Sequence, residues 1–380
     1  MIGGSSSRPE QFGVYVHIPF CTTRCDYCAF ATWTDRHHLV PAYVKACVES
    51  AEQQLPGLRP ATSVFFGGGT PSLLSPGQLA SILAAIPMAN GAEVTVECNP
   101  DTVEREKLAG YRRAGVNRIS VGVQSMVPHV LAGLGRGHDP DAARRAVADA
   151  AEAGFADSYS VDLIMGGAGE SLADWEETLE AVLGFDAPPR HLSAYGLTVE
   201  AGTPLAADRS RHPDPDDQAD KYLRADERLA RAGLRWYEIS NWAWPGAECR
   251  HNRLYWEQGE YLGIGCAAHS HLVDHQTGWS RRWWNVRTPD RFIRQVEEGH
   301  SVEAAGEDLS PVARRLEHLE LALRTREGVP EEALPGWRTD PVLADLVEAA
   351  DGGLLRLTPK GRLLANEVAL RLSDRPGADM

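Results

Sequence analysis

The sequence predicts an α/β fold: a partial barrel of six parallel strand–helix units, followed by a small C-terminal domain of different construction. Three observations carry this. Short apolar stretches alternate with amphipathic helical stretches six times between residues 14 and 232, the pattern of a parallel sheet with helices outside it. The residues with chemistry to offer lie at or just after the ends of successive strands, which is where barrel enzymes place their sites. Beyond residue 302 the alternation stops, and two helices, a short strand and a last helix follow.

The elements can be taken in order. Residues 14–18 form an apolar strand that runs into a cysteine-bearing loop, and residues 41–55 carry Tyr43, Val44, Cys47, Val48 and Ala51 at helical spacing. Strand 63–66 ends in Gly67-Gly68-Gly69-Thr70-Pro71, and helix 76–86 follows. Strand 93–98 ends in Asn99-Pro100 and leads into helix 102–114; strand 118–123 ends at Gln124. Helix 140–153 is stopped by Gly154. Strand 159–165 ends in Gly166-Gly167, helix 172–183 follows, and strand 191–197 precedes a long polar-faced helix, 214–232. Further on, residues 289–298 read as helix, 303–308 as an acidic linker, 311–325 as amphipathic helix and 341–350 as helix. Residues 354–357 read as a strand and 362–372 as the last helix, an order that resembles a winged-helix domain. The expected division is a flexible N-terminus (1–11), the barrel (12–235), a tryptophan-rich extension (236–302) and the winged-helix-like domain (303–380).

Composition narrows the function classes. Hydrophobic residues make up 43% and charged residues 24% of the 380-residue chain, as in soluble globular proteins. No apolar run reaches the roughly 18 residues that a spanning helix needs, and the Gly/Ser-rich start lacks the apolar core of a signal peptide. Seven cysteines, three of them in one loop, suit a reducing cytoplasm better than a disulfide framework. A formal charge of −15 argues against broad nucleic-acid binding, which needs excess Lys and Arg. The C-terminal stretch 307–379, with 14 acidic and 10 basic residues, disfavours DNA in the same way. A lid or partner-docking role suits that stretch better.

Cys21-Thr22-Thr23-Arg24-Cys25-Asp26-Tyr27-Cys28 places three cysteines on one loop with spacing C-x3-C-x2-C. Three thiolates can hold three irons of a cubic [4Fe–4S] cluster and leave the fourth iron to a small molecule. The alternatives are a structural zinc site or three unrelated thiols. Zinc wants a fourth protein ligand close by, and Asp26 is the one anionic oxygen in the loop.

This spacing after a strand resembles the radical S-adenosylmethionine (radical SAM) superfamily, and the barrel is accordingly expected to be a partial (βα)6 radical SAM barrel. The stretches 15–28, 66–71, 121–125, 162–166 and 251–256 together resemble the oxygen-independent coproporphyrinogen III oxidase-like family over nearly all of residues 15–372. The resemblance implies that Cys21, Cys25 and Cys28 bind the cluster and that Gly68, Gly69 and Thr70 bind S-adenosylmethionine. It implies that Tyr15, Tyr27 and Phe30 flank the cluster and cofactor. Glu97, Gln124, Arg136 and Asp162 match the contacts to ribose, carboxylate and adenosine. Carboxylates suit ribose hydroxyls, and a guanidinium suits the methionine carboxylate. For each polar residue taken alone, a strand-end or capping hydrogen bond is the plainer reading.

Within that family two departures point to the heme-chaperone branch rather than the oxidases. Oxidases carry a further cysteine two residues after the third cluster cysteine, where this chain has Phe30, and they begin with an N-terminal extension that closes the site. Here about a dozen residues precede the first strand, and a radical reaction needs its substrate sealed from water. Seven of the ten tryptophans fall between residues 236 and 284, suited to a flat apolar ligand or to a small secondary core. His251-Asn252-Arg253-Leu254-Tyr255-Trp256 matches the H-N-x-x-Y-W motif of the branch, which implies His251 as the heme contact, with imidazole a common axial ligand. Cys249, Cys266 and His269 are rivals, and Cys249-x-His251 with Cys266-x2-His269 can also be read as zinc ligands. The expectation is a cytoplasmic chaperone with a [4Fe–4S] cluster, S-adenosylmethionine and heme that hands heme to an acceptor protein of unknown identity. A coproporphyrinogen III dehydrogenase and a zinc-stabilised interaction protein are the alternatives. Peripheral membrane contact and a homodimer stay open.

Overall fold

The computed structural model of the chain describes residues 11–372; the expected flexible start, apart from Gln11, lies outside the described residues. Six strands, β1 (Phe12–Ile18), β2 (Ala61–Gly68), β3 (Met88–Cys98), β4 (Arg118–Gln124), β5 (Tyr159–Met165) and β6 (His191–Gly196), lie side by side in chain order and pair in parallel. The helices between them close at the expected places. Ser75 with Gln78 and Ser171 with Asp174 form capping boxes at the starts of Pro76–Ala84 and Leu172–Leu183, satisfying backbone donors that a helix start leaves free.

Both faces of these strands are covered, and the two faces differ. On β1, Phe12, Val14, Val16 and Ile18 point outward into the helix layer and are at most 1% exposed. Gly13, Tyr15 and His17 alternate with them and face inward. The outward residues of all six strands join the helices in one continuous hydrophobic core. The inward residues are largely polar: Ser63 and Thr95, Glu97 and Ser120, Asp162 and Ser193.

The tryptophan-rich stretch does not form a separate core. Its strands extend the same sheet at both edges, giving twelve strands in all. β7 (Arg235–Glu238) and β8 (Asn241–Ala243) add antiparallel beyond β6. β9 (Glu260–Ile264) adds parallel beyond β1, followed by the antiparallel β10 (His269–Val273), β11 (Ser280–Asn285) and β12 (Glu303–Leu309). The tryptophans are therefore split: Trp236 and Trp242 lie at one edge, Trp283 and Trp284 at the other, and Trp256 on a short helix between them. The stretch read as an acidic linker is edge strand β12; its acidic side chains suit an edge, and Glu303 and Glu307 pair with Arg281 and Arg282 of β11. No helix among the described residues is long and apolar enough to cross a membrane.

The C-terminal segment packs helix Pro311–Leu323 on an antiparallel sheet ordered β13 (Val329–Pro330), β15 (Leu354–Leu357), β14 (Val347–Ala350). Residues 341–350, expected as one helix, form a single turn, Leu343–Leu346, and then β14. Gly352 and Gly353, both at positive φ, fold β14 back onto β15, and ladder pairing there outweighs the helical spacing. The expected last helix is broken at Leu364 into Pro359–Leu363 and Ala365–Ala369.

A buried ion pair ties this segment to the barrel, beside the more exposed Arg253–Glu327 and Arg282–Glu317 pairs. Arg362 is 4% exposed; its Nη1 and Nη2 donate to the two oxygens of Asp226 at 2.8 and 2.5 Å. Its guanidinium lies 4.7 Å over the Trp236 ring, and Trp242 Nε1 donates to the same carboxylate at 2.8 Å. Removing one member of a buried pair leaves the other uncompensated. Arg362→Met is expected to lower unfolding stability by about 3–5 kcal/mol in urea denaturation, and Asp226→Leu in the same chain should recover part of the loss.

Candidate functional site

The strand ends open into a cavity of about 470 Å³, large enough for a cofactor-sized ligand. The cysteine loop forms one wall. It is held at its base by Trp33, whose N–H donates to Pro19 O at 2.7 Å and whose O accepts from Cys21 N at 3.1 Å. The end of β2 lies directly against this loop: Gly69 N donates to Ile18 O and Thr70 N to Phe20 O, both at 2.8 Å, and Thr70 Oγ1 donates to Cys21 Sγ at 3.5 Å. Gly69 permits the contact. A Cβ there would stand 2.7 Å from Phe20 O, 2.8 Å from Ile18 O and 3.0 Å from Cys21 Sγ.

Cys21, Cys25 and Cys28 all line the cavity as free thiols. Partial burial pushes the Cys21 and Cys28 thiols above the ordinary range. Arg136 lies beside Cys25, its Nη1 donating to Sγ at 3.3 Å, while Nη2 donates to Asn99 Oδ1 at 3.1 Å and Gly122 O at 3.2 Å. Its Nε is buried without an acceptor, a donor left over in the cavity wall. Tyr27 completes this side; burial raises its hydroxyl above the ordinary range, against the neighbouring guanidinium.

The floor carries the strand-end carboxylates. Glu97 Oε2 accepts from Gly68 N at 3.1 Å. Enclosure by the barrel, then the nearby Asp162, push its carboxyl up to about 7. Asp162 Oδ2 accepts from Ser120 Oγ at 2.7 Å, and enclosure raises it too. Both residues line the cavity, and Ser193 also donates to Asp162. Gln124 sits at φ +66, a left-handed conformation that is uncommon outside glycine, after a register shift in the β4–β5 pairing. Phe30 stands at the mouth, 68% exposed.

Thus all the cofactor residues expected from the sequence line this cavity except Tyr15 and His251. Tyr15 lies one inward layer lower, its hydroxyl 3.2 Å from His17 Nδ1. His251 lies at the opposite end of the barrel, on the helix Arg250–Trp256 that plugs its base. It is 2% exposed, with Nδ1 2.9 Å from Ser63 Oγ and Nε2 2.9 Å from Tyr255 Oη. Burial lowers its pKa to about 3. The rival thiols are also enclosed: Cys249 faces Glu93 and Cys266 faces Tyr43, so the two pairs read as zinc ligands point to separate neighbours. Sequence reading missed Asn99 and Tyr195, which also line the cavity. Asn99 had a signal, directly after β3; Tyr195 continues the inward alternation of His191 and Ser193 on β6.

Comparison with known proteins agrees with this arrangement. The family model of the radical SAM superfamily matches residues 15–182. The chain is 40% identical to the heme chaperone HemW of Mycobacterium tuberculosis over 97% of each chain. It is 36% identical to HemW of Escherichia coli over 93% of this chain and 96% of that one. A mouse relative, the mitochondrial radical S-adenosyl methionine domain-containing protein 1, is 36% identical over 97% of this chain and 85% of its own length. The solved coproporphyrinogen III oxidase HemN of Escherichia coli superposes with a TM-score of 0.80 at 22% identity, covering 95% of this chain and 89% of that one, which shows the fold. Fold and cysteine loop thus define a radical SAM protein. The chain belongs to the HemW family, and membership of the radical SAM superfamily implies a [4Fe–4S] cluster and S-adenosylmethionine.

The contact at Gly69 is testable without any ligand. Gly69→Ala should lower stability by about 1–3 kcal/mol, the range for overpacking a tight site, in urea unfolding. Gly77→Ala, with open space around the new methyl, should not.

Proposed function

We propose that the chain is a radical-SAM-type heme chaperone of the cytoplasm. It binds a [4Fe–4S] cluster through Cys21, Cys25 and Cys28, binds S-adenosylmethionine in the same cavity, and carries heme to an acceptor protein. The observation that carries this reading is the cavity itself, which gathers three thiols, a glycine edge and two carboxylates in a chain that matches heme chaperones from end to end.

The residues present fit both groups. Three thiols from one loop suit a cluster in which each thiolate bonds a different iron, and Gly69 leaves the backbone edge beside Cys21 clear of any side chain. Bound there, the cluster supplies one-electron redox chemistry. Gly68, Gly69 and Thr70 present the strand end to the amino-acid part of the cofactor. Arg136, with its unpartnered Nε, offers charge-assisted donors to a carboxylate. Glu97 and Asp162 accept from ribose hydroxyls, while Gln124 and Tyr27 bound the remaining space. Phe30 leaves an apolar, exposed rim where a further thiol would otherwise stand.

Cluster and cofactor should separate by mutation. Cys25→Ala is expected to lose most of the iron from an oxygen-free preparation. Asp162→Ala should keep the iron and weaken S-adenosylmethionine binding by about 1.5–3 kcal/mol, the usual contribution of a hydrogen bond to a charged group, as read by calorimetry. Full iron in Cys25→Ala, or unchanged affinity in Asp162→Ala, would remove these residues from the site.

The decisive experiment offers heme and coproporphyrinogen III in parallel to the anaerobic full chain, with and without S-adenosylmethionine. A stable Soret band, with heme passing to an apo-protein acceptor and no protoporphyrinogen IX formed, is the expected result. Protoporphyrinogen IX over several turnovers would instead identify a coproporphyrinogen III dehydrogenase.

A further inference from the structure

If the chain carries heme, as proposed above, its iron needs a side chain that is both accessible and unengaged, and the histidine of the H-N-x-x-Y-W motif is neither. Both ring nitrogens of His251 are taken, by Ser63 and Tyr255, and the ring is packed between Phe65 and Tyr255 at centroid distances of 5.4 and 5.0 Å. Freeing it means withdrawing the plug helix from the barrel. The cysteines fare no better. Cys249 and Cys266 are 5% and 0% exposed, each thiol is engaged, and burial pushes both up to about 12, away from the thiolate that would bond iron. His271 is 3% exposed, with Nδ1 held by Gly259 O at 2.9 Å.

His269 is different. It is exposed, and among the described residues none hydrogen-bonds to its ring. It lies on β10 two residues before His271, so the two imidazoles project to the same face of the sheet. That face is the inner one: the His271 ring lies 6.1 Å from Tyr261, whose ring meets Tyr255 of the plug helix edge-on at 4.7 Å. Across the ladder His269 is paired with Trp284 of β11, and the two rings stack at 5.6 Å with an interplanar angle of 28°. Beyond Trp284, the next residue in register on β12 is Ala305. The strip from His269 through Trp284 to Ala305 thus offers one free imidazole beside a flat aromatic and then a small side chain, on a rigid sheet.

We infer that His269 makes the protein contact to heme iron and that Trp284, stacked on the imidazole, braces it and meets the porphyrin by its edge, on the inner surface of β10 and β11. An imidazole nitrogen donates its lone pair to iron as an axial ligand, with its ring plane upright on the porphyrin, and the near-parallel Trp284 ring supports that ring and offers its edge as apolar contact. The plug-helix motif then acts at one remove, holding the aromatic chain Tyr255–Tyr261–His271 on which this wall rests.

The test is a titration of ferric heme into the anaerobic full chain, followed by the Soret band, for wild type, His269→Ala, Trp284→Leu and His251→Phe. His269→Ala should shift the band and weaken binding at least roughly tenfold, since even supporting contacts of a metal ligand are felt on that scale. Free imidazole should restore the wild-type band in His269→Ala, a rescue that a merely structural role would not give. Trp284→Leu should weaken binding without moving the band. Iron–sulfur content and circular dichroism report whether each variant folds. A wild-type band and affinity in His269→Ala, or a band that moves in His251→Phe alone, overturns the inference and leaves heme cargo standing. No band in wild type sinks the cargo reading, and this inference with it.

Discussion

The site depends on a close backbone contact. The end of β2 lies against the start of the cysteine loop through two 2.8 Å hydrogen bonds, from Gly69 to Ile18 and from Thr70 to Phe20. With Trp33 bonded to Pro19 and Cys21 on the other side, the first cysteine is fixed between two stretches of backbone. The loop is thus anchored at its first thiol, while Cys25 is positioned by Arg136, from the far side of the barrel. A residue with a side chain at position 69 would separate these pieces. The glycine run therefore serves packing: the absence of Cβ at Gly69 lets the strand meet the loop.

The second constraint is the barrel interior. A parallel sheet is covered on both faces, and here the inner face is polar, so its groups need partners. The plug helix and its approach supply many of them at the base. Ser63 of β2 bonds His251, Glu93 of β3 accepts from the N–H groups of Arg250 and His251, and Arg118 of β4 donates to Ala247 O. His191 of β6 bonds Tyr237, which accepts from Asn252. Four strands are thereby tied to one short element. At the other end Glu97 and Asp162 carry raised pKa values, the mark of carboxylates withdrawn from water, although Ser120, Ser193 and Arg118 partly offset the shift at Asp162. Strongly perturbed groups in a cleft are a common sign of function.

The cavity was largely legible in the sequence. The alternation of strand and helix placed Cys21, Thr70, Glu97 and Gln124 at or near strand ends, and a parallel barrel brings consecutive strand ends to one rim; Asp162 faces inward from the middle of β5. Period-2 alternation also separates the outward Val14 and Val16 from the inward Tyr15 and His17. These are local signals, set by side-chain direction within a strand and by short connections, and they survive without knowledge of what lies across the sheet.

What only the tertiary structure decided is where the chain goes after β6. The stretch with seven tryptophans is contiguous in sequence, but its strands join opposite edges of one sheet, so its aromatic residues part company. Edge pairing is non-local, and nothing in the acidic run of β12 or the helical spacing before β14 announces the partner strand that makes each of them extended. The H-N-x-x-Y-W motif shows the same limit: residue types suited to heme were readable, but burial of His251 against Ser63 depends on a helix folding back under the barrel. By itself the sequence determined the family, the cysteine loop and the strand-end chemistry, because these rest on spacing along the chain. The structure decided which imidazole meets solvent, because exposure depends on what packs above it.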